Sequence, residues 1–176
     1  VELFDYQLTP IRIDKLSLIW GYVFHIAAIL AAIYGMRERS RIHHFCAAAY
    51  IGAAIGAVFA GDLLTLFVYW ELTAVASVFL VWIGNSDSAF GAGMRYAVLH
   101  IASGVLVLAG SLVLFVQTNS LAFGGPGEVG LFQELDSWGS ILLLMGFGIK
   151  AAFPFVHAWL PDAYAKATPA GAVVLS

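Results

Sequence analysis

The sequence predicts an all-α bundle of transmembrane helices, and its composition is the first reason. The chain has 176 residues, of which 61% are hydrophobic and only 11% are charged, and its mean hydropathy is +0.90. A typical soluble domain is about 45–50% apolar and about 25% charged. Because a small globule needs a polar exterior, a soluble chain of this size could not hide so much apolar surface. The composition therefore excludes a soluble enzyme domain and a disordered segment.

Long apolar stretches are the second reason. A helix needs about 20 mostly apolar residues to cross a bilayer, whereas a strand of an outer-membrane barrel alternates over about ten residues. Continuous apolar runs cover residues 16–36, 44–60, 63–82, 95–117 and 138–160, and a partial run begins at residue 170. We therefore expect about five complete helical spans plus the start of a sixth.

Charge and cysteine content exclude several kinds of site. The formal net charge of −3 provides no basic surface for nucleic acid. The single cysteine, Cys46, excludes a disulfide framework and a four-cysteine zinc site. His43 and His44 lie close to Cys46, but they follow three arginines at a predicted membrane boundary, which favours interfacial anchoring over metal binding. We expect no cofactor, no metal and no redox chemistry in this chain.

The loops between the spans predict the orientation, because lysine and arginine are enriched in cytoplasmic loops. Arg37, Arg39 and Arg41 follow the first span, whereas loop 119–137 carries three acidic residues and no lysine or arginine. The arginine loop is therefore expected inside and loop 119–137 outside, which places the N-terminal end outside. The expected location is the bacterial cytoplasmic (inner) membrane.

Glu71 and Lys150 are the residues charged at neutral pH that fall deep inside predicted spans. A charge at the centre of a span costs about 2.5–3.5 kcal/mol on translocon scales. The residues three and four positions away on each helix are not polar, so each charge needs a partner from another helix. We expect a coupled pair that moves protons. The alternative is a structural ion pair that fixes the helix packing.

Pro154 predicts a break in the last complete span. Proline lacks the N–H that would bond the carbonyl of Lys150, four residues earlier. Irregular backbone at membrane depth is tolerated where it is buried in protein or lines a wet cavity. His157 follows Lys150 by seven residues, two turns along roughly the same helical face. Because histidine titrates near neutral pH, this arrangement predicts a path for protons or cations.

The span over residues 95–117 carries a weaker polar stripe, formed by His100, Ser103 and Ser111 on one face. These side chains could relay protons. The alternative is that they hydrogen-bond to neighbouring helices, each bond contributing about 0.6 kcal/mol in a membrane.

Two segments of the sequence resemble a known family. Residues 67–72 read FVYWEL and residues 148–163 read GIKAAFPFVHAWLPDA. They are similar to the FxxWEL and IKxxxFPxHxWLPDA segments of the proton-translocating antiporter-like subunits. These subunits build the membrane arm of respiratory complex I (NADH:quinone oxidoreductase) and the multisubunit Mrp-type Na⁺/H⁺ antiporters. Residues 165–168 are more similar to the D-type branch of the Mrp proteins than to typical complex I subunits.

The resemblance implies roles for individual residues. Glu71 matches the glutamate that modulates the proton affinity of a lysine in a broken helix, and Lys150 matches that lysine. His157 matches the histidine of the second motif. The sequence departs from the family at Tyr164, where a second histidine is usual.

The resemblance also implies a larger protein. Family members carry about fourteen helices arranged as inverted repeats, so residues 1–176 are expected to form an internal fragment of one antiporter-like domain. Two helices are expected before this fragment and a second repeat after it. The implied partners are other membrane subunits of a hetero-oligomeric assembly, protons, monovalent cations and the lipid bilayer.

Three interpretations of the function remain open at this point. The chain is part of a subunit that exchanges Na⁺ or K⁺ for protons, or part of a proton-pumping subunit of a complex I-like or hydrogenase complex. The third interpretation is a membrane scaffold that transports nothing. Under the first two interpretations the chain carries ions, and under the third it transports nothing. In none of them does it carry electrons.

The predicted orientation can be checked by labelling introduced cysteines after Cys46 is removed. Ser40→Cys should react in intact cells only with membrane-permeant thiol reagents, because it lies in the arginine loop. Ser120→Cys should react with impermeant reagents as well. The opposite labelling pattern would show that the orientation is reversed.

Overall fold

The computed structural model describes residues 2–3, 6–84, 86–123 and 137–176, and this part of the chain is almost entirely helical. A two-residue hairpin pairs β1 (Glu2–Leu3) with β2 (Tyr6–Gln7) in antiparallel register. Seven helices follow among the described residues: α1 (Lys15–Gly35), α2 (Arg41–Val58), α3 (Leu63–Trp82), α4 (Asp87–Thr118), α5 (Trp138–Lys150), α6 (Trp159–Lys166) and α7 (Pro169–Leu175). The predicted all-α class is confirmed for these residues. The three acidic residues of loop 119–137, namely Glu128, Glu134 and Asp136, lie outside them.

The helices agree with the predicted spans to different degrees. Helix α3 has the predicted bounds, and within the described residues α1, α3 and α4 are long and apolar enough to cross a membrane. Helix α4 begins at Asp87, eight residues before the predicted start at residue 95. The side chain of Ser86 accepts a hydrogen bond from the backbone N–H of Ala89, and this cap starts the helix earlier than hydropathy indicates. The run 138–160 is two helices, α5 and α6, rather than one.

Polar side chains fix where α1 and α3 begin. Asp14 and Ser17 form a reciprocal capping box at the start of α1, and the backbone N–H of Ser17 holds the pKa of the Asp14 carboxyl below its usual value. Asp62 is fully buried before α3. Its carboxylate accepts hydrogen bonds from the backbone N–H and hydroxyl of Thr65 and from the backbone N–H of Thr9. These bonds join the segment before α1 to the start of α3.

Helices α4 and α5 approach closely because glycines face each other at their contact. A Cβ placed on Gly110 would lie 2.8 Å from the carbonyl oxygen of Gly139, and one on Gly146 would lie 2.9 Å from the carbonyl oxygen of Ser103. Small residues at helix contacts let backbones approach in membranes. Val107 and Leu143 are completely buried in this contact. The close packing places the end of α5 against the middle of α3 and α4.

The break after α5 is a left-handed helix cap. The backbone N–H of Phe153 bonds the carbonyl of Gly148 at 2.9 Å, and that of Ala152 bonds the carbonyl of Ile149 at 3.2 Å. These two bonds, with Ala152 at φ 55°, form the Schellman motif that ends many helices. The ring of Phe153 packs where a Cβ on Gly148 would stand, 2.7 Å away. The helix therefore ends at Lys150 through bonds made before Pro154, which only prevents its continuation.

Two further contacts hold α6 after the break. The indole N–H of Trp159 donates to the carbonyl of Ile149 at 3.0 Å, which satisfies one of the last carbonyls of α5. The guanidinium of Arg95 on α4 donates twice to one carboxylate oxygen of Asp162, at 2.9 and 2.6 Å. Helix α6 is thus attached to both α5 and α4.

The left-handed residue at the break predicts stability changes of opposite sign. Ala152→Gly should raise the free energy of unfolding by about 0.5 kcal/mol, because glycine adopts positive φ without the clash that Cβ causes. Ala152→Val should lower it by more than about 1 kcal/mol, because its branched Cβ increases the clash. Thermal unfolding of the purified protein in detergent measures both changes.

Ala151→Gly is the matched control, because Ala151 has an ordinary φ of −78°. This substitution should lower the free energy of unfolding by about 0.5–1 kcal/mol. If Ala152→Gly lowered stability as Ala151→Gly does, the left-handed cap would be absent in the protein.

Candidate functional site

Lys150 is the last residue of α5, and its ammonium group is bound by α3. The Nζ atom donates to the backbone carbonyl of Trp70 at 2.7 Å and to the hydroxyl oxygen of Thr73 at 2.6 Å. It also lies 4.3 Å from the centre of the Trp70 ring, a cation–π contact. The Thr73 hydroxyl donates its own hydrogen to the Trp70 carbonyl at 2.7 Å. The contacts that α3 offers the ammonium are therefore two acceptor oxygens and an aromatic face. We call Trp70 and Thr73, which provide them, the lysine seat.

Glu71 follows the lysine seat directly in α3, but its carboxylate turns toward α4. Its Oε1 atom is buried and has no hydrogen-bond partner. The carboxylate packs on the α-carbon of Gly104, in the space that a Cβ at that position would occupy. Among the described residues, the ion pairs within 4.0 Å are Arg12–Asp14 and Arg95–Asp162. The structure thus brings Glu71 and Lys150 to one helix contact, with the lysine held by neutral acceptors instead of the carboxylate.

His100 belongs to a cavity that Lys150 also lines. The two residues line the same cavity of about 360 Å³, together with Trp70 and Thr73. His100 is only 1% exposed, and its Nδ1 atom lies 2.9 Å from the carbonyl oxygen of Tyr96. Its imidazole stacks on the Tyr96 ring and meets the Trp159 ring edge-on, with centroids 3.8 and 4.7 Å away. The ring is therefore held in one orientation.

The two serines of the predicted polar stripe have structural bonds. Ser103 accepts a hydrogen bond from the indole N–H of Trp70 at 3.0 Å and donates to the carbonyl of Gly146 at 2.7 Å. It therefore ties α3, α4 and α5 together behind the lysine seat. The hydroxyl of Ser111 donates to the carbonyl of Val107 on its own helix at 2.7 Å. Ser103 thus makes the bonds to neighbouring helices that the alternative interpretation expects, whereas Ser111 bonds its own helix.

His157 is not placed on a common helix face with Lys150. It lies in the non-helical segment between α5 and α6 and is exposed. The expected spacing of two helical turns is wrong because the helix ends at Lys150 through the Schellman motif. The cavity that Lys150 lines does not include His157.

Sequence reasoning missed Thr73 and three tyrosines at this site. Tyr50, Tyr96 and Tyr164 contribute to the cavity from α2, α4 and α6. The hydroxyl of Tyr164 donates to the backbone carbonyl of Leu175. Tyr164 was notable in the sequence only as a departure from a family motif. Nothing in the sequence pattern showed that it would line the same cavity as Lys150.

Comparison with protein families places this arrangement among known proteins. Residues 60–176, about two thirds of the chain, match the family described as "NADH:quinone oxidoreductase/Mrp antiporter, TM". The chain belongs to this family. The matched region contains the lysine seat, Glu71, His100 and the break after α5, so the predicted family membership is confirmed.

Relatives within this antiporter/complex I family show what share of a complete protein the chain represents. An A-type subunit of the Na⁺/H⁺ antiporter of Alkalihalophilus pseudofirmus is 32% identical over 176 aligned residues, which cover 93% of this chain and 22% of that protein. The chain thus spans about a fifth of the length of this curated relative. By its name the relative is of the A type, whereas the sequence pattern alone favoured the D type.

Solved structures of family members share the fold. A chain of the Mrp complex from Dietzia sp. DQ12-45-1b superposes with a TM-score of 0.82 at 23% identity, covering 94% of this chain and 19% of that chain. A chain of respiratory complex I from Thermus thermophilus superposes with a TM-score of 0.73 at 24% identity, covering 96% and 40%. The protein therefore has the fold of integral membrane subunits of both kinds of complex.

The contact between Glu71 and Gly104 predicts that the same substitution has opposite effects at two glycines. Gly104→Ala would place a methyl group where the carboxylate lies, and the flexible Glu71 side chain would have to turn away. We expect a loss of about 1 kcal/mol in the free energy of unfolding, the low end of the cost of overpacking. Gly52→Ala is the matched control, because no atom lies within 4 Å of a Cβ at that position. It should raise stability by about 0.5–1 kcal/mol, as alanine does in a helix. Equal thermal unfolding midpoints for the two variants would contradict the observed position of Glu71.

Proposed function

We propose that this chain is part of the ion-translocating subunit of a multisubunit monovalent cation/proton antiporter, which exchanges Na⁺ or K⁺ for protons. The observation that carries the proposal is the lysine seat beside Glu71. Here a half-buried ammonium from α5 is bound to α3 at the residue next to a carboxylate, and the lysine-bearing helix ends at that residue. The name of the Alkalihalophilus pseudofirmus relative supports antiport as the activity.

The lysine side chain has two alternative positions in this mechanism. In the lysine seat, the carbonyl of Trp70, the hydroxyl of Thr73 and the Trp70 ring all favour the charged form of the amine. A movement of the ammonium toward Glu71 would form an ion pair and favour the charged form further. When Glu71 is neutral or engaged elsewhere, burial favours release of the lysine proton. The carboxylate thereby controls when Lys150 holds its proton.

The lack of helical structure after Lys150 supports the same mechanism. In a continuous helix, the residues on both sides of a lysine would be fixed by backbone hydrogen bonds. Here the residues after Lys150 follow a left-handed cap, so the lysine is at a point where the chain can adjust. His157 in this segment, with His100, Ser103 and Ser111 on α4, are proposed positions along the proton path.

The remaining parts of this proposal concern the complete protein. We propose about five spans and a partial sixth for this fragment, within a transporter of about fourteen helices in inverted repeats. The arginine loop would lie on the inner side of a bacterial cytoplasmic membrane. Other membrane subunits, protons, monovalent cations and lipids would be its partners.

A proton-pumping subunit of a complex I-like assembly is the second candidate function. The family description, which names NADH:quinone oxidoreductase beside the Mrp antiporter, supports it. In that case the Glu71–Lys150 contact would work in the same way, but redox chemistry elsewhere would drive it. Dependence of proton flux on Na⁺ or K⁺, measured without an electron donor, separates the two candidates.

The proposal predicts loss of transport when either charged residue is changed in the complete, assembled protein. Glu71→Gln and Lys150→Ala should each lower cation-dependent proton flux at least ten-fold, because neither variant can form the charged pair. Glu71→Asp should retain part of the flux, since its charge remains at shorter reach. Flux is measured in everted vesicles and expressed per assembled complex.

Lys166→Ala is the control, because Lys166 is an exposed lysine in the last turn of α6. Its flux should equal that of the wild type. Wild-type flux in both Glu71→Gln and Lys150→Ala would refute the proposal and favour a scaffold that transports nothing.

A further inference from the structure

We infer that His100 exchanges protons with Lys150 across the shared cavity, through its Nε2 atom. This inference rests on the proposed function and specifies which atom of His100 takes part and which residue exchanges protons with it. It comes from the hydrogen bonding of the imidazole, from its burial and from the cavity that it lines. None of these features is visible in the sequence.

The hydrogen bonding of the ring fixes its tautomer. The Nδ1 atom lies 2.9 Å from the carbonyl oxygen of Tyr96, and a carbonyl can only accept. Nδ1 therefore carries a hydrogen. In the neutral imidazole, Nε2 then has a free lone pair and acts as an acceptor. The Tyr96 and Trp159 rings on either side of the imidazole prevent it from turning to present Nδ1 instead.

The Nε2 atom is buried, and no described residue provides it with a hydrogen-bond partner. A buried acceptor without a partner destabilises a structure by about 1–3 kcal/mol. The cavity of about 360 Å³ that His100 lines has room for several waters, since each occupies about 30 Å³ in the liquid. A water there would donate to Nε2 and accept from another group on the cavity wall.

Lys150 is the charged residue among the side chains that line this cavity in the described part of the chain. The other titratable groups on its wall are the hydroxyls of Tyr50, Tyr96 and Tyr164, from three different helices. Tyr164 already donates to the carbonyl of Leu175. Glu71, the carboxylate next to the lysine seat, packs on Gly104 of α4 and does not line this cavity. Lysine is therefore the source of protons that the wall of this cavity offers to the imidazole.

The transfer balances without any further reactant. The ammonium of Lys150 gives one proton to a cavity water, and that water gives one proton to Nε2 of His100. The products are a neutral amine and an imidazolium that keeps its Nδ1–H on the Tyr96 carbonyl. The reverse transfer, or release of the Nε2 proton to cavity water, returns the histidine to its neutral form.

His25 shows what a histidine with the same local bond looks like without this environment. Its Nδ1 atom lies 2.7 Å from the carbonyl oxygen of Gly21, which is four residues earlier. His100 makes the same contact with the carbonyl of Tyr96, also four residues earlier. His25 is exposed on α1 and does not line the cavity of Lys150. The bond to the helix backbone is therefore common to both residues, whereas burial in the lysine cavity belongs to His100. His25 is the matched control for any substitution of His100.

The experiment compares His100→Gln and His25→Gln in the complete, assembled protein. Glutamine keeps a polar side chain but cannot take up a proton near neutral pH. Proton flux is measured in everted vesicles between pH 6 and 9 and expressed per assembled complex. We expect His100→Gln to lower the flux at least ten-fold and His25→Gln to leave both flux and pH profile unchanged.

Chemical rescue separates proton transfer from packing. In His100→Ala, added imidazole should restore flux, whereas pyrazole, which has the same size and far weaker basicity, should not. Equal rescue by both compounds would show that His100 only fills space and would overturn the inference. The same would follow from wild-type flux in His100→Gln.

The failure of the inference and that of the proposed function are distinguishable in the same vesicles. If Lys150→Ala loses flux and His100→Gln does not, the antiporter proposal holds and His100 is not in the path. If Lys150→Ala keeps its flux, the proposed function itself is wrong.

Discussion

The structure depends on one requirement, that a lysine ammonium inside an apolar bundle must find acceptors. Helix α5 meets it by ending at Lys150, so that the side chain extends from the helix end to the carbonyl of Trp70 and the hydroxyl of Thr73. A buried charge without such partners would be far more costly than the bonds that hold it. Packing on α4 places α5, and the lysine side chain then spans from the end of α5 to α3.

Several neighbouring features serve that contact. Ser103 bonds both the Trp70 indole and the carbonyl of Gly146, so it fixes the tryptophan whose carbonyl and ring receive the ammonium. Because Gly148 has no side chain, the Phe153 ring can pack against it where α5 ends. Gly104 of α4 leaves room for the Glu71 carboxylate. Small residues thus act here by providing space for the groups that carry the chemistry.

Hydropathy and isolated charges predicted much of this from the sequence. The bounds of α3 follow from hydropathy, and the selection of Glu71 and Lys150 as isolated charges inside apolar helices follows from composition along the chain. The end of α5 could be predicted only in part, because Pro154 indicates a break while the left-handed residue is Ala152, a position where glycine would be the usual signal. The cavity of His100 needs the packing of α2, α4, α6 and α7, which local sequence patterns do not report. The expected common face of His157 and Lys150 was wrong because a seven-residue spacing has that meaning only in a continuous helix.

The hydrogen bonds around Lys150 leave more acceptors than donors. An ammonium has three N–H groups, and the described contacts of Lys150 use two of them, on Trp70 and Thr73. The buried acceptors without a partner here are Oε1 of Glu71 and Nε2 of His100. The single remaining N–H of the lysine could serve only one of these two atoms at a time. The other acceptor must then accept a hydrogen bond from water or bind a positive ion. A site that exchanges protons for cations needs such an acceptor, open to either partner.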